Sequence, residues 1–401
     1  HCGLIPKLVR EGFNGPIFAT EPSTELAEIV MLDSGHLHEE DAKYKRKRHA
    51  KEGRTGPHPV LPLYTQEDAE RAAKQLKPVV YNKPLKFNDA VAVTWHDAGH
   101  ILGSAMLSID VTESGQARRI VFSGDIGQRD KPLIKDPTML KQADIVVIES
   151  TYGDRLHDHD EDIESQLARV INDTIERGGN VIVPTFAIER AQELLWHFGR
   201  LLAEKKTPRL PIFLDSPMAV NVTEVFKRYG DYMDAEAKQV IAGGHDPLEF
   251  AGVEFSRTTE QSKAINTIRG SAIIMAGSGM CTGGRIKHHL ANNIEHERNT
   301  IRFVGYQSIG TLGRLIVDGK NPVRIHGVFR DVKAKIEQMH GMSAHADQRG
   351  LLEWIQSFNP KPKHVFITHG DPGAAKTLER EIRERGFEHV VVPQYGQKEE
   401  L

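Results

Sequence analysis

The stretch TWHDAGHILGSAM (Thr94–Met106) decides how the rest of the chain is read. It begins inside an alternating apolar run, AVAVTW, whose period is that of a strand. His100 follows directly, flanked by Gly99 and Gly103 in a small, apolar stretch that constrains its backbone tightly. Taken alone, such a histidine reads as a hydrogen-bonded structural residue. The pattern recurs, however. Asp125 closes a second strand-like run in VFSGDIG, and His369 closes another in VFITHGDP. Imidazole and carboxylate groups are the donors that Zn²⁺ takes, and strand ends are where loops present reactive side chains.

Working outward, the runs RIVFSGD, DIVVIEST, NVIVPTF, PIFLDSP, SAIIMAGSG, TIRFVGY and HVFITHGD also read as strands. They alternate with segments of helical period, EDIESQLARVINDTIERG, ERAQELLWHFGRLLAEKK and AAKTLEREIRERG. That alternation predicts an α/β fold. The chain has 401 residues, 39% of them hydrophobic and 27% charged, which suits an ordinary globular protein of two domains or of one carrying a large insertion. No apolar run reaches the length of a bilayer span, and no signal-peptide pattern is visible. Two cysteines, Cys2 and Cys281, argue for a reducing compartment, and the expected location is the cytoplasm. A formal charge of -3 gives no global pull toward nucleic acid, so an anionic partner has to be held by local basic patches. One such run is KYKRKRHAKEGR, Lys43 to Arg54. It reads either as a solvated face or as a contact for a phosphate backbone.

The motifs DAGHILGSA, SGDIG, ESTYGD, SAHADQ and ITHGD, in that order, resemble those of the metallo-β-lactamase-fold nucleases of the β-CASP group. Ribonuclease J and the endonuclease of the eukaryotic cleavage and polyadenylation machinery belong to that group. The resemblance covers essentially the whole chain. It implies an αββα metallo-β-lactamase sandwich with an inserted α/β domain, to which PTFAIERAQELL, DSPMA and GSGMCTGGRIKHHL are similar. The expected limits are 1–154 for the first part of the sandwich, 155–340 for the β-CASP domain and 341–401 for the return to the sandwich.

The resemblance also implies roles. His100 corresponds to a ligand of a first zinc, Asp125 to a carboxylate bridging two zincs, and His1 and His369 to ligands of the second. Glu149 and His345 correspond to a carboxylate and the general acid it polarises. Ser278, Gly279, Thr282, Gly284 and Arg285 correspond to a phosphate-binding loop, with Ser343 a further substrate contact. Arg190 is either a phosphate contact or a helix N-terminal residue, and His288 and His289 read as ordinary helix histidines. The group's H-x-H-x-D-H signature precedes a sequence like the opening HCGLIPKLVR, and His1 matches its last letter. Further ligands are therefore expected upstream, and a piece starting at His1 can lack activity of its own.

The implied function is hydrolysis of RNA phosphodiester bonds, endonucleolytic, 5′-exonucleolytic or both, with zinc as cofactor, RNA as partner and no membrane. A homodimer is compatible with this reading. Two rivals are a non-catalytic RNA-binding scaffold of the same fold and a small-molecule metallo-hydrolase.

Overall fold

The structure, a computed structural model, describes residues 2–56, 58–157, 161–339 and 341–399. They form two compact units, His1–Lys83 and Pro84–Leu401. In the first, the short strands Ile17–Thr20 and Leu76–Val79 pair in parallel. The helices Ile5–Arg10, Glu21–Glu52 and Gln66–Ala73 share a small core of Val9, Met31, Tyr64, Ala69 and Ala72. Thr65 and Asp68 close a reciprocal capping box at the start of the third helix, which satisfies two amide donors that the helix itself cannot.

Among the described residues the second unit holds a seven-stranded and a six-stranded sheet. The seven-stranded sheet runs His389–Val391, His364–Ile367, Ile145–Ile148, Gln116–Phe122, Ala105–Glu113, Val91–Asp97, Leu85–Lys86. The first four strands are mutually parallel, and each later step is antiparallel. Two antiparallel steps separate Val91–Asp97 from Gln116–Phe122, so these two strands point the same way. The carboxyl ends of Val91–Asp97, Gln116–Phe122, Ile145–Ile148 and His364–Ile367 therefore meet at one edge of the sheet. His100, Asp125, Glu149 and His369 lie just beyond those four ends. The sheet's buried face carries Met106, Val121, Val146, Ile148, Val365 and Ile367, packed by Leu351, Trp354, Ile355, Leu378 and Ile382 from two helices. Burying each large apolar side chain is worth roughly 1.5–3 kcal/mol, which fixes the strand ends on a rigid floor.

The six-stranded sheet is all parallel, in the order Val253–Phe255, Ile212–Leu214, Ile273–Ala276, Val181–Pro184, Thr300–Phe303, Lys335–Gln338. Its central strands Val181–Pro184, Ile273–Ala276 and Thr300–Phe303 are buried throughout. That is why Val181–Pro184 and Ile273–Ala276 read as continuous apolar runs instead of alternating ones. All eight runs assigned to strands from the sequence are strands, and all three helical segments are helices.

Candidate functional site

The turn after Val91–Asp97 is held by close backbone packing. Gly99 has φ 63°, which a side-chain-bearing residue adopts only under strain. A Cβ on Gly127 would lie 1.6 Å from the Gly99 carbonyl oxygen. Gly127 donates to the Ala98 carbonyl at 2.8 Å, and Ala346 donates to the Ile126 carbonyl at 2.7 Å. The segments bearing His100, Asp125 and His345 are thereby stitched together by main chain. Asp97 opens the turn by accepting from the Gly99 N–H at 3.0 Å; burial raises its carboxyl to about 6, against that hydrogen bond and the charge of Lys135.

Asp125 sits between two imidazoles. His100 Nε2 is 3.7 Å from its Oδ2, and His369 Nδ1 is 3.3 Å from its Oδ1. Two ligands on one tetrahedral ion, each ~2.0–2.2 Å away, are held roughly 3.3–3.6 Å apart, so both spacings suit shared coordination. Burial first, and then the neighbouring His345, push His100 down to about 4. It is neutral at physiological pH, the form that binds a metal. Two groups with donor atoms within 4.8 Å of one another meet here: His100, Asp125 and His345, and Asp125, Glu149 and His369. The donor set fits zinc. The expected ligand His1 lies outside the described residues.

Glu149 is 1% exposed. Its carboxylate accepts from the Ile126 N–H at 2.6 Å and the Thr151 N–H at 3.3 Å. His345 Nδ1 lies 3.1 Å from both of its oxygens. A carboxylate only accepts, so Nδ1 carries the proton and Nε2 remains for other chemistry. Burial works against a charged His345, but Glu149 and then Asp125 outweigh it, and the imidazole titrates above its ordinary value. The His345 ring packs 4.4 Å from that of His100. Ser343 Oγ accepts from the His345 N–H at 3.3 Å.

The glycine-rich loop is closed on itself. Ser278 Oγ accepts from the N–H groups of Thr282 (3.1 Å) and Gly283 (3.4 Å) and meets the Thr282 hydroxyl at 3.2 Å. The Gly279 carbonyl accepts from Gln307 at 3.0 Å, and Gly284 takes φ 73°. Arg285 turns inward to Asp215 (2.6 Å), the Ser256 carbonyl (3.1 Å) and the Arg257 carbonyl (2.8 Å). Arg190 is buried, donating to the Val304 carbonyl and facing Glu193. The geometry gives both arginines internal partners.

Several contacts were not anticipated, although the sequence marks His289 as a helix histidine and Asp347 as a residue that orients a neighbouring group. His289 is fully buried with Nε2 2.6 Å from Asp215 Oδ2. Burial raises the Asp215 carboxyl, but hydrogen bonds from His289, Ser262, Ser256 and Arg285 bring it down to about 2. His157 contacts the His345 carbonyl at 2.9 Å, and Asp347, which caps helix Gln348–Ile355, accepts from the His157 N–H at 3.2 Å. Glu189 is the least expected. It adopts φ 63°, ψ -57° and its neighbour Arg190 donates to the Ile188 carbonyl, a γ-turn of the rare, strained hand. Its buried carboxylate accepts from the Leu102 N–H at 3.2 Å, two residues past His100. The spacing of apolar residues carries no trace of this tie, because it is made between segments far apart in the chain.

Glu189 yields a pH prediction. Burial and then Glu193 raise its pKa well above the ordinary value, opposed by Leu102, Lys131 and Arg190. A carboxyl with a raised folded pKa contributes fully below the unfolded value, and that stability is lost as pH climbs through the folded one. Glu189→Gln keeps an acceptor for Leu102 and removes the charge. Its Tm is expected to match the parent's near pH 5 and to exceed it by about 2 °C near pH 8. Thermal melts across that range check this, and a difference that does not grow with pH would contradict it.

Comparison with known proteins follows the same lines. Residues 191–316 match the Beta-Casp domain family, and residues 330–393 match the Zn-dependent metallo-hydrolase RNA specificity domain. The chain is 36% identical over 401 residues to a ribonuclease of Thermus thermophilus, covering 99% of this chain and 84% of that protein. It belongs to the β-CASP group of metallo-β-lactamase-fold ribonucleases. Within the group it is also 31% identical to the transcription termination factor FttA of Methanocaldococcus jannaschii, covering 98% of this chain. It is 28% identical to FttA of Pyrococcus horikoshii, covering 96%. The chain spans about three fifths of those archaeal factors, 60% and 58% of their lengths. The Beta-Casp match takes in the glycine-rich loop, and the metallo-hydrolase match takes in His345 and His369. No helix among the described residues is long and apolar enough to cross a membrane.

Proposed function

We propose that this protein is a zinc-dependent hydrolase of RNA phosphodiester bonds, acting endonucleolytically, from the 5′ end, or both, in the cytoplasm. The observation that carries the reading is His345 Nδ1 held by both Glu149 oxygens at 3.1 Å, with its ring against the His100–Asp125–His369 donor set. His100 and Asp125 would hold one zinc, and Asp125, His369 and His1 a second. Bound zinc supplies a Lewis acid for the phosphodiester and brings the pKa of water toward neutrality. The protein's own groups do the rest. Glu149 fixes the ring and keeps it protonated, and His345 Nε2 delivers the proton to the departing oxygen. Ser278, Gly279, Thr282, Gly284 and Ser343 line the substrate's phosphates, while Arg285 and Arg190 act on the substrate through the segments they anchor.

Domain limits of 1–154, 155–340 and 341–401 are part of the same reading. Their support is that strands Val181–Pro184 to Lys335–Gln338 of the six-stranded sheet all fall within 155–340. For the intact parent protein, elemental analysis is expected to find about two zinc ions per chain, together with cleavage of single-stranded RNA. Protein that holds RNA intact and retains no metal would instead be the non-catalytic scaffold.

A further inference from the structure

We propose that the distal end of the long helix Glu21–Glu52 is a binding arm for single-stranded RNA, with phosphates on Lys47, Arg48 and Lys51 and a base on Tyr44. The buried residues of this helix are Pro22, Leu26, Met31, Gly35 and Ala42, and none follows Ala42. About ten residues, roughly 15 Å of helix, therefore run on with no core of their own. Segment Lys43–Arg54 carries seven Lys and Arg against one Glu, inside a chain of formal charge -3.

Internal chemistry accounts for only part of that charge. Arg46 donates to the Val60 carbonyl at 3.1 Å, Lys43 pairs with Glu40 at 2.8 Å, and Arg48 and Arg54 share Glu52 at 3.2 and 2.8 Å. Cations in the last turn also favour the helix dipole. Among the described residues no carboxylate forms an ion pair with Lys45, Lys47 or Lys51, although Lys47 feels the charge of Glu40. Lys43, Lys47 and Lys51 are spaced four apart, so they repel one another along one line of the helix. A polyanion would relieve that repulsion.

Tyr44 makes the face specific. Its side chain is 66% exposed, and Lys47, Arg48 and Lys51 stand three, four and seven residues further on, hence on its own side of the helix. All three are exposed. An exposed ring beside a row of cations is the combination that holds unpaired nucleotides, since the ring stacks on a base while the cations neutralise phosphates. That the polyanion is RNA rests on the function proposed above.

The test is filter binding of an unstructured RNA oligonucleotide across a salt series, in chelator so that the RNA stays intact. Lys47→Gln/Arg48→Gln/Lys51→Gln keeps helix-forming residues. It is expected to lower the slope of log affinity against log salt by about two, at about 0.7 per single-strand phosphate. Tyr44→Ala should weaken binding about 5- to 100-fold with the slope unchanged. Zinc content and turnover of a small activated phosphodiester should stay at the parent's level in both, so failure of the arm and failure of the hydrolase reading give different results. Unchanged affinity and slope would overturn the proposal. So would an equal loss in the charge-matched surface variant Lys320→Gln/Lys333→Gln/Lys363→Gln, or loss of binding to phosphatidylserine vesicles with RNA binding intact.

Discussion

Asp125→Asn is expected to empty the metal site and to cut RNA hydrolysis by at least about 10⁴-fold. Among the described residues Asp125 is the one carboxylate within ion-pair distance of both His100 and His369, at 3.7 and 3.3 Å. An amide matches the carboxylate in size, yet it offers one oxygen in place of two and no charge to balance a dication. Both halves of the donor set are therefore lost together. The fold should survive, because the segment around Asp125 is held by main chain, through Gly127 to Ala98 and Ala346 to Ile126. Elemental analysis and RNA cleavage on the same preparation check this. Full zinc occupancy in the variant would show that the ion is held elsewhere.

His345→Ala is expected to cost about 10²–10⁴-fold on RNA, the usual worth of general acid catalysis, with zinc retained. The loss should shrink on an activated aryl phosphodiester, whose leaving oxygen departs without a proton. Glu149→Gln should give a milder form of the same pattern, since it removes the charge that favours the protonated ring. The competing role is written into the same geometry. His345 is also one of the groups whose donor atoms lie within 4.8 Å of those of His100 and Asp125. If it binds metal, zinc occupancy falls and both substrates suffer alike.

Much of this site was legible in the sequence because it lies at strand ends. The runs before Asp125, Glu149 and His369 are short, apolar and bounded by glycine or aspartate, so their termini were visible without a structure. The resemblance then added the roles. What stayed hidden depends on where side chains turn after folding. Arg285 looks like a phosphate contact beside a glycine-rich loop, yet its donors go to Asp215, Ser256 and Arg257. His289 has the pattern of an ordinary helix histidine, yet it is buried against Asp215. Glu189 lies at the start of a helix that was anticipated, but its positive φ and its bond to Leu102 arise only when the two parts of the chain meet. Strand Ala105–Glu113 was overlooked although Leu107, Ile109 and Val111 alternate with Ser108, Asp110 and Thr112 at the period of a strand; its place is set by pairing with Val91–Asp97 on one side and Gln116–Phe122 on the other.

The central claim is that zinc-dependent water attack cleaves RNA here. Cleavage in ¹⁸O-labelled water, with metal-stripped protein before and after zinc is returned, tests it most directly. The account predicts no product from the stripped protein, and one labelled oxygen in the product phosphate once zinc is restored. Cleavage without metal, or an unlabelled 2′,3′-cyclic phosphate, would contradict it.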